Sequence, residues 1–178
     1  MTYNLKKDFL APIGVLFTIC LVISVALAWT NQLTAPIIAQ VEWTAANEAK
    51  LEVLPLADDF TLVEQEGLPA GVTEVYKAHN GAGYVILMTA DGYGGDMKMI
   101  CGIDSKGLVV NVQVLSHSET SGIGTKVTRE EFAAQFVGMD ADLAGVQAIT
   151  GASVSSNAYI AAVRSAVSAY KMVEGGGW

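Results

Sequence analysis

The feature that most constrains this chain is an apolar run, Ala11–Trp29, in which nineteen consecutive residues include no charged side chain. As a helix, a run of this length can cross the hydrocarbon core of a bilayer, which is about 30 Å thick. Trp29 stands at the end of the run, and the indole ring of tryptophan prefers the interface between lipid and water. The sequence therefore predicts a short N-terminus, residues 1–10, and a transmembrane helix over residues 11–30.

Charge on the two sides of this run predicts its orientation. Lys6 and Lys7 precede it, and no lysine or arginine follows until Lys50. Because basic residues are retained on the cytoplasmic side, we expect a single pass through the cell membrane, with a cytoplasmic N-terminus and an extracytoplasmic C-terminal domain. A cleaved signal peptide is the alternative, since residues 26–28 form a small-x-small site. The run, however, exceeds the roughly 7–15 apolar residues of a signal peptide.

The balance of charge excludes nucleic acid as a partner. The 178 residues have a formal net charge of −8, and residues 31–178 contain eight basic and seventeen acidic side chains. Nucleic-acid binding requires a basic surface. Cys20 and Cys101 form no disulfide framework, and no cysteine and histidine cluster has zinc spacing, so no metal site is predicted. The dinucleotide fingerprint is also missing, so the chain by itself is not expected to bind NADH.

Hydrophobic periodicity predicts that a mixed α+β domain follows the N-terminal transmembrane helix. A juxtamembrane segment, residues 31–57, contains a helix that starts at Pro36. The domain spans residues 58–174, and a tail of residues 175–178 ends the chain. The predicted elements of the domain are strands 72–79, 84–89, 97–103, 108–115 and 146–149, a helix near 129–137, and a last helix over 157–173.

A stretch of small residues, Ile149–Ser156, separates the last predicted strand from the last predicted helix. Gly151 can adopt positive φ or let a ligand approach the backbone, and hydroxyl side chains recur at four positions. Ser155 or Ser156 is the expected N-cap of the helix. Backbone N–H groups at the start of a helix favour an anion such as phosphate. The stretch is therefore either a capped turn alone or a capped turn that binds phosphate.

Residues 150–155 of this stretch, Thr-Gly-Ala-Ser-Val-Ser, resemble the flavin-attachment motif of the FMN-binding domain family. In that motif a serine or threonine, followed by Gly-Ala, precedes the residue that carries FMN through a phosphoester bond. Ser153 occupies this acceptor position, where threonine is more usual. The resemblance implies covalent FMN on Ser153, and thus a phosphoprotein. The neighbouring residues that it places at the cofactor are Thr150, Gly151, Ala152 and Ser155.

Two other stretches resemble the same family and occur in the family's order. Residues 92–95, Gly-Tyr-Gly-Gly, precede a strand and a Lys-Gly turn, as in the family's central hairpin. Residues 117–124, His-Ser-Glu-Thr-Ser-Gly-Ile-Gly, resemble its His-x-Glu-Thr-Pro-Gly-Leu-Gly loop, with Ser121 in place of proline. The resemblance covers about residues 84–160. The residues that it implies around the flavin ring or its chain are Tyr93, Gly94, Gly95, Glu119, Thr120, Ser121 and Gly122.

The anchor, the extracytoplasmic domain and the short length are most similar to the G subunits of Rnf electron-transport complexes. Those subunits are related to the longer C subunits of sodium-translocating NADH:quinone oxidoreductases. The resemblance implies a redox subunit of an ion-translocating ferredoxin:NAD oxidoreductase, which relays electrons through covalent FMN and is not catalytic alone. Its implied partners are the other membrane subunits and a flavin transferase. Two alternatives are a non-redox, membrane-anchored assembly or ligand-binding module and a self-standing extracytoplasmic flavoprotein reductase.

Overall fold

A computed structural model describes residues 11–175, with side chains for residues 13–34 and 48–175. The predicted N-terminus, residues 1–10, and all but the first residue of the predicted tail therefore lie outside the described residues. The chain divides between Ala45 and Ala46 into two compact units.

The first unit contains most of helix α1, which runs over Ala11–Val53. Its apolar part, Ile13–Thr34, has a mean hydropathy of 2.4 over 22 residues, and its side chains are exposed. The hydroxyls of Thr18 and Thr30 each donate to the carbonyl oxygen four residues earlier, at 2.8 Å. Such bonds give these hydroxyls a hydrogen-bond partner, which the hydrocarbon core of a membrane does not provide. Within the described residues, this helix is the one segment long and apolar enough to cross a membrane.

The sequence predicts two helices in this region, and the structure shows one. The predicted start of the second helix, Pro36, lies inside α1. Proline removes one backbone donor, which weakens or bends a helix without having to end it. The predicted juxtamembrane helix is therefore the C-terminal half of α1.

The second unit is built on an antiparallel sheet of five strands in the order β1-β2-β3-β4-β5. Each strand pairs with the next along the chain. At the predicted turn between β4 and β5, Asp104 Oδ1 accepts hydrogen bonds from the N–H groups of Lys106 and Leu108, both at 2.9 Å. The strands are β1 Phe60–Leu62, β2 Val72–Ala78, β3 Gly83–Asp91, β4 Asp96–Asp104 and β5 Val109–His117.

Helices cover both faces of this sheet. Helix α3, Ser153–Gly175, buries its apolar side in the main core against one face. On the other face, Val53 at the end of α1 belongs to a second buried cluster with Val85 and Ile100. Because both faces are covered, β3 and β4 are apolar along most of their length instead of alternating. The predicted α+β class, with one N-terminal apolar helix, is confirmed.

The prediction of a strand over residues 146–149 is wrong. This segment has no neighbouring strand. The N–H groups of Gln147 and Ile149 instead donate to the side chains of Gln135 and Ser156, each at 3.0 Å. Side chains, rather than a backbone ladder, therefore hold the segment that leads into α3.

Two helices differ in length from their predictions. Helix α2, Glu130–Ala133, has only four residues, and short 3₁₀ turns precede and follow it. Its N-cap residue, Arg129, makes no side-chain capping bond, which explains why the helix is brief. Helix α3 begins at Ser153 instead of residue 157, because the Ser156 N–H already donates to the Ala152 carbonyl oxygen at 2.9 Å.

Candidate functional site

A cavity of about 300 Å³ in the second unit brings the three motif stretches together. We call residues 151–155, at the start of α3, the attachment wall, and residues 119–124, after β5, the loop wall. Tyr93, from the turn between β3 and β4, completes the lining. The lining residues are Tyr93, Glu119, Thr120, Ile123, Gly124, Gly151, Ala152, Ser153, Val154 and Ser155. A larger cavity of about 510 Å³, between β5 and α2, contains none of the predicted site residues.

The attachment wall presents the Ser153 hydroxyl at a helix N-terminus. Ser153 is the first residue of α3, and its side chain is exposed. The first helical hydrogen bond ends at the Ala152 carbonyl oxygen, so the N–H groups of residues 153–155 have no acceptor within the helix. Gly151 turns the chain into the helix with a φ of 85°, a conformation that favours glycine. These N–H groups and the helix dipole favour an anion beside Ser153.

Two buried serines hold the attachment wall in place. The Ser156 hydroxyl accepts the Ile149 N–H at 3.0 Å and donates to the Ala152 carbonyl oxygen at 2.8 Å. The Ser155 hydroxyl accepts the Tyr93 N–H at 3.4 Å. The prediction that one of these serines is the N-cap is wrong, because both lie in the first turn of α3. Their hydroxyls fix the preceding turn and the Tyr93 turn against the helix.

The loop wall contains a buried carboxylate without a hydrogen-bond partner. Glu119 is 8% exposed, and neither of its carboxylate oxygens has a partner in the part of the chain that the structure describes. The carboxylate lies between Gly92 and Gly124, where a Cβ on either glycine would collide with one of its oxygens. A Cβ on Gly94 would collide with the Ser118 carbonyl oxygen and lie 2.8 Å from the Glu119 Cα. These three glycines let the backbone close around Glu119.

Backbone hydrogen bonds form the rest of the loop wall into a tight turn. The Thr120 carbonyl oxygen accepts the N–H groups of Gly124 at 3.0 Å and Thr125 at 3.3 Å. The Thr125 hydroxyl accepts the Gly122 N–H at 3.0 Å, and Gly122 has a φ of 86°. Ser121 is exposed at the tip of this turn. The loop therefore keeps its shape without the proline that is usual at this position in the family.

The His117 ring of this loop forms a hydrogen bond within the loop itself. His117 Nδ1 accepts the backbone N–H of Glu119 at 3.3 Å, so this ring nitrogen is used within the loop. Among the described side chains, those of residues 13–34 and 48–175, no three histidine, cysteine, aspartate or glutamate residues are grouped as metal ligands.

Three large apolar side chains are exposed in the cavity lining: Tyr93 at 75%, Ile123 at 54% and Val154 at 54%. Exposed apolar side chains around a concave site favour a ligand with an apolar face. The ring of FMN has such an apolar face, and a phosphate lies at the other end of the molecule. The ribityl chain between them carries hydroxyl donors, and the ring carries an N–H donor. The apolar lining, the N–H groups at the start of α3 and the unpartnered Glu119 carboxylate match these parts, so the residues present fit FMN.

Comparison with known proteins points to the same cofactor. The model of the FMN-binding domain family matches residues 92–168. The G subunit of an ion-translocating oxidoreductase complex from Methanosarcina acetivorans is 34% identical over 181 residues, which cover 90% of this chain and 95% of that relative. The chain belongs to this G-subunit family.

Other members are named more specifically. The G subunit of the proton-translocating ferredoxin:NAD(+) oxidoreductase complex of Clostridium ljungdahlii is 27% identical, covering 88% of this chain and 89% of the relative. The G subunit of the Na(+)-translocating ferredoxin:NAD(+) oxidoreductase complex of Acetobacterium woodii is 28% identical, with the same coverage of both chains.

Membership of the G-subunit family confirms the resemblance drawn from the sequence. The chain is a redox subunit of a multi-subunit oxidoreductase complex, and its matched domain is one that binds FMN. Together with the apolar segment of α1, this membership indicates a membrane-anchored protein.

Seven of the twelve predicted site residues line the cavity, and five do not. The seven are Tyr93, Glu119, Thr120, Gly151, Ala152, Ser153 and Ser155. The five outside the lining are Thr150, Gly94, Gly95, Ser121 and Gly122. Sequence reasoning missed Ile123, Gly124 and Val154, although all three stand within the same motif stretches. Gly94 acts on the site indirectly, because its missing side chain makes room for the Glu119 backbone.

Cys101, a residue of the main core, is not a reactive thiol. Cys101 in β4 is fully buried, and burial raises the pKa of its thiol to about 12. Burial, and secondarily the charge that Cys101 would carry as a thiolate, also raises the pKa of Tyr159. Both groups are neutral at ordinary pH, so Cys101 is a core residue, in agreement with its place in an apolar strand.

Proposed function

We propose that this G-subunit family member relays electrons through FMN attached covalently to Ser153 by a phosphoester bond, as part of an ion-translocating ferredoxin:NAD oxidoreductase complex. The observation that carries the proposal is the position of Ser153: an exposed hydroxyl, on the first residue of α3, in a cavity whose residues fit FMN. The names of the relatives from Clostridium ljungdahlii and Acetobacterium woodii support the reaction of the complex.

Attachment requires a flavin transferase, because a serine hydroxyl is a poor nucleophile without an activating base. Ser153 Oγ forms a bond to the phosphorus of an activated flavin phosphate, such as that of a flavin dinucleotide. The phosphoanhydride bond breaks, the nucleoside monophosphate leaves, and the hydroxyl proton passes to the base of the transferase. The N–H groups of residues 153–155 stabilise the single negative charge of the phosphodiester.

The residues of the cavity hold and surround the cofactor. Bound FMN supplies reversible electron transfer, which none of the lining side chains can supply. Tyr93, Ile123 and Val154 provide the apolar surroundings of its ring. The buried hydroxyls of Ser155 and Ser156 keep the attachment wall fixed against the neighbouring turns. A covalent bond to Ser153 prevents loss of the cofactor outside the cytoplasm, where free FMN is scarce.

A subunit with one redox centre needs both an electron donor and an electron acceptor. The other membrane subunits of the complex supply them, and the apolar segment of α1 offers these subunits a surface within the membrane. We therefore expect the chain to act as a relay and not as an enzyme by itself.

The orientation proposed for the chain places residues 1–10 in the cytoplasm and residues 58–174 outside it. Residues 11–30 cross the membrane, and residues 31–57 connect the two parts. The basic residues before the apolar run support this orientation. Protease added to right-side-out vesicles is expected to digest the C-terminal domain. Protection of that domain in intact vesicles, with digestion after detergent is added, would reverse the orientation.

Substitution of Ser153 tests the attachment site. Ser153→Ala is expected to abolish covalent flavin while changing the free energy of unfolding by no more than about 0.5 kcal/mol, because the side chain is exposed. Ser153→Thr is expected to keep the flavin, since threonine presents the same hydroxyl. The measurements are intact mass and in-gel flavin fluorescence of the denatured full chain, co-expressed with a flavin transferase.

Ser168→Ala is the matched control and is expected to keep the flavin, because it removes a hydroxyl from the same helix, outside both the motif and the cavity lining. If the Ser153→Ala chain still carried covalent flavin, the phosphoester bond would have to be on another hydroxyl. A wild-type chain without flavin, under conditions that load a known substrate of the transferase, would favour a capped turn in a non-redox membrane module.

A further inference from the structure

The buried Glu119 carboxylate is the least satisfied polar group of the cavity. We propose that it accepts a hydrogen bond from the bound flavin and that its negative charge lowers the reduction potential of that flavin. The inference rests on the proposed function, because it requires the cofactor to occupy the cavity beside Ser153. It adds a role for Glu119 in setting the reduction potential. Attachment of flavin to Ser153 does not depend on this role.

Among the described residues, no donor forms a hydrogen bond with this carboxylate. The Gly92 N–H donates to the Gly95 carbonyl oxygen at 3.0 Å, and the Gly124 N–H donates to that of Thr120 at 3.0 Å. The N–H of Glu119 itself donates to His117 Nδ1. The glycines on either side of the carboxylate have no side chains to contribute. Burying a carboxylate without donors is costly, and a donor on whatever fills the cavity would reduce that cost.

Flavin has donors of the required kind. An ionised carboxylate can only accept hydrogen bonds, whereas the ribityl chain of FMN carries O–H donors and its ring carries an N–H donor at N3. The two walls are therefore complementary to different parts of the cofactor. The N–H groups of the attachment wall can donate to the phosphate. The carboxylate of the loop wall can accept a hydrogen bond from a ribityl O–H or from the ring N–H.

The charge of Glu119 determines the direction of the effect on the potential. Two-electron reduction to the anionic reduced form adds two electrons and one proton, so the flavin gains one negative charge. The buried Glu119 carboxylate repels that charge, and the repulsion is stronger than it would be between two groups fully in water. No basic residue is present in the cavity lining to offset it. The carboxylate therefore makes the reduced form less stable and the potential more negative.

The test is a redox titration of the flavin-loaded full chain in detergent, followed by visible absorbance. Glu119→Gln keeps the shape of the side chain and removes its charge. At one fixed ambient potential, the ratio of reduced to oxidised flavin is expected to rise at least tenfold, which for a two-electron couple corresponds to about 30 mV. Glu131→Gln is the matched control: the same charge is removed from an exposed residue of α2, where water screens it.

A second variant covers the case in which Glu119→Gln fails to acquire flavin. In Gly124→Ala, the added Cβ collides with the Glu119 carboxylate and must displace it, although Glu119 remains charged. This variant is expected to shift the potential in the same direction by a smaller amount. A wild-type potential in either loaded variant would overturn the proposal. Absence of flavin from the wild-type chain would instead contradict the attachment at Ser153, so the two failures are distinguishable by mass.

Discussion

The two walls of the cavity differ in how they treat buried polar groups. At the attachment wall, the buried hydroxyls of Ser155 and of the next residue, Ser156, both accept backbone N–H groups, at 3.4 and 3.0 Å. On the loop wall, the buried carboxylate of Glu119 has no partner among the described residues. An unpaired buried polar group costs about 1–3 kcal/mol, and a charged one costs more. The loop wall is therefore the less stable of the two before the cofactor is present.

This difference corresponds to the order of events that the proposed function requires. A transferase must recognise the chain before flavin is attached, so the attachment wall has to be complete without the cofactor. The loop wall contacts the flavin only afterwards, and its unpaired group can be satisfied at that stage. A ligand that binds only the folded state stabilises it, so attachment should tighten the loop wall more than the attachment wall.

Gly94→Ala should have the largest effect on this arrangement. The added Cβ would meet the Ser118 carbonyl oxygen and the Glu119 Cα, and both are backbone atoms that cannot rotate away. The loop wall must shift, at a cost of about 1–3 kcal/mol. Thermal unfolding of the full chain, followed by near-ultraviolet circular dichroism, should show the loss, and flavin loading should fall with it. Gly175→Ala, at an α3 position with open space around it, should be close to neutral.

Gly94 also shows where prediction from the sequence ends. The glycine-rich turn is recognisable from residues 92–95, but the reason for its glycines is a contact with Ser118 and Glu119 more than twenty residues away. No local rule indicates such a contact. An outcome in which Gly94→Ala unfolds no earlier than Gly175→Ala would show that the loop wall moves freely and that the closeness of these backbones is unimportant.

The fold was predictable where local signals and burial agree. Strands β2 to β5 follow apolar or loosely alternating stretches, and the turn after Asp104 follows from an aspartate side chain that bonds to its own loop. The segment 146–149 has the same apolar composition, yet it is not a strand, because its N–H groups are taken by Gln135 and Ser156. Such side-chain partners depend on the tertiary structure, and hydrophobic periodicity in the sequence does not predict them.

The sequence indicated the motifs of the candidate site, but it did not indicate how their residues are arranged in space. Resemblance to the FMN-binding domain family pointed to Ser153 as the expected acceptor hydroxyl and included Glu119 among the expected site residues. It did not reveal that the Glu119 carboxylate is buried without a partner among the described residues, which follows from the positions of Gly92 and Gly124. The sequence also suggested a serine N-cap, whereas the helix begins earlier and uses Ser155 and Ser156 to bind neighbouring turns.

Ser156→Ala should have a smaller effect than Gly94→Ala and should act on the attachment wall alone. It leaves the Ile149 N–H without its acceptor and removes the bond to the Ala152 carbonyl oxygen, at a cost of about 1–2 kcal/mol. The turn before Ser153 is then held less firmly. With limiting transferase, the fraction of chain that carries flavin should fall, as measured by intact mass. The potential of the flavin that is attached should remain that of the wild type.

Ser155→Ala is the matched control for this prediction, because it removes a neighbouring buried hydroxyl whose only described bond is the long one from the Tyr93 N–H, at 3.4 Å. Its cost should be below about 1 kcal/mol, since a long hydrogen bond contributes less than a short one. Loading at Ser153 should be less affected than in Ser156→Ala, because the turn before Ser153 keeps both of its bonds to Ser156. Equal losses of loading in the two variants would mean that general loosening of α3, and not the Ser156 bonds to Ile149 and Ala152, controls access to the acceptor hydroxyl.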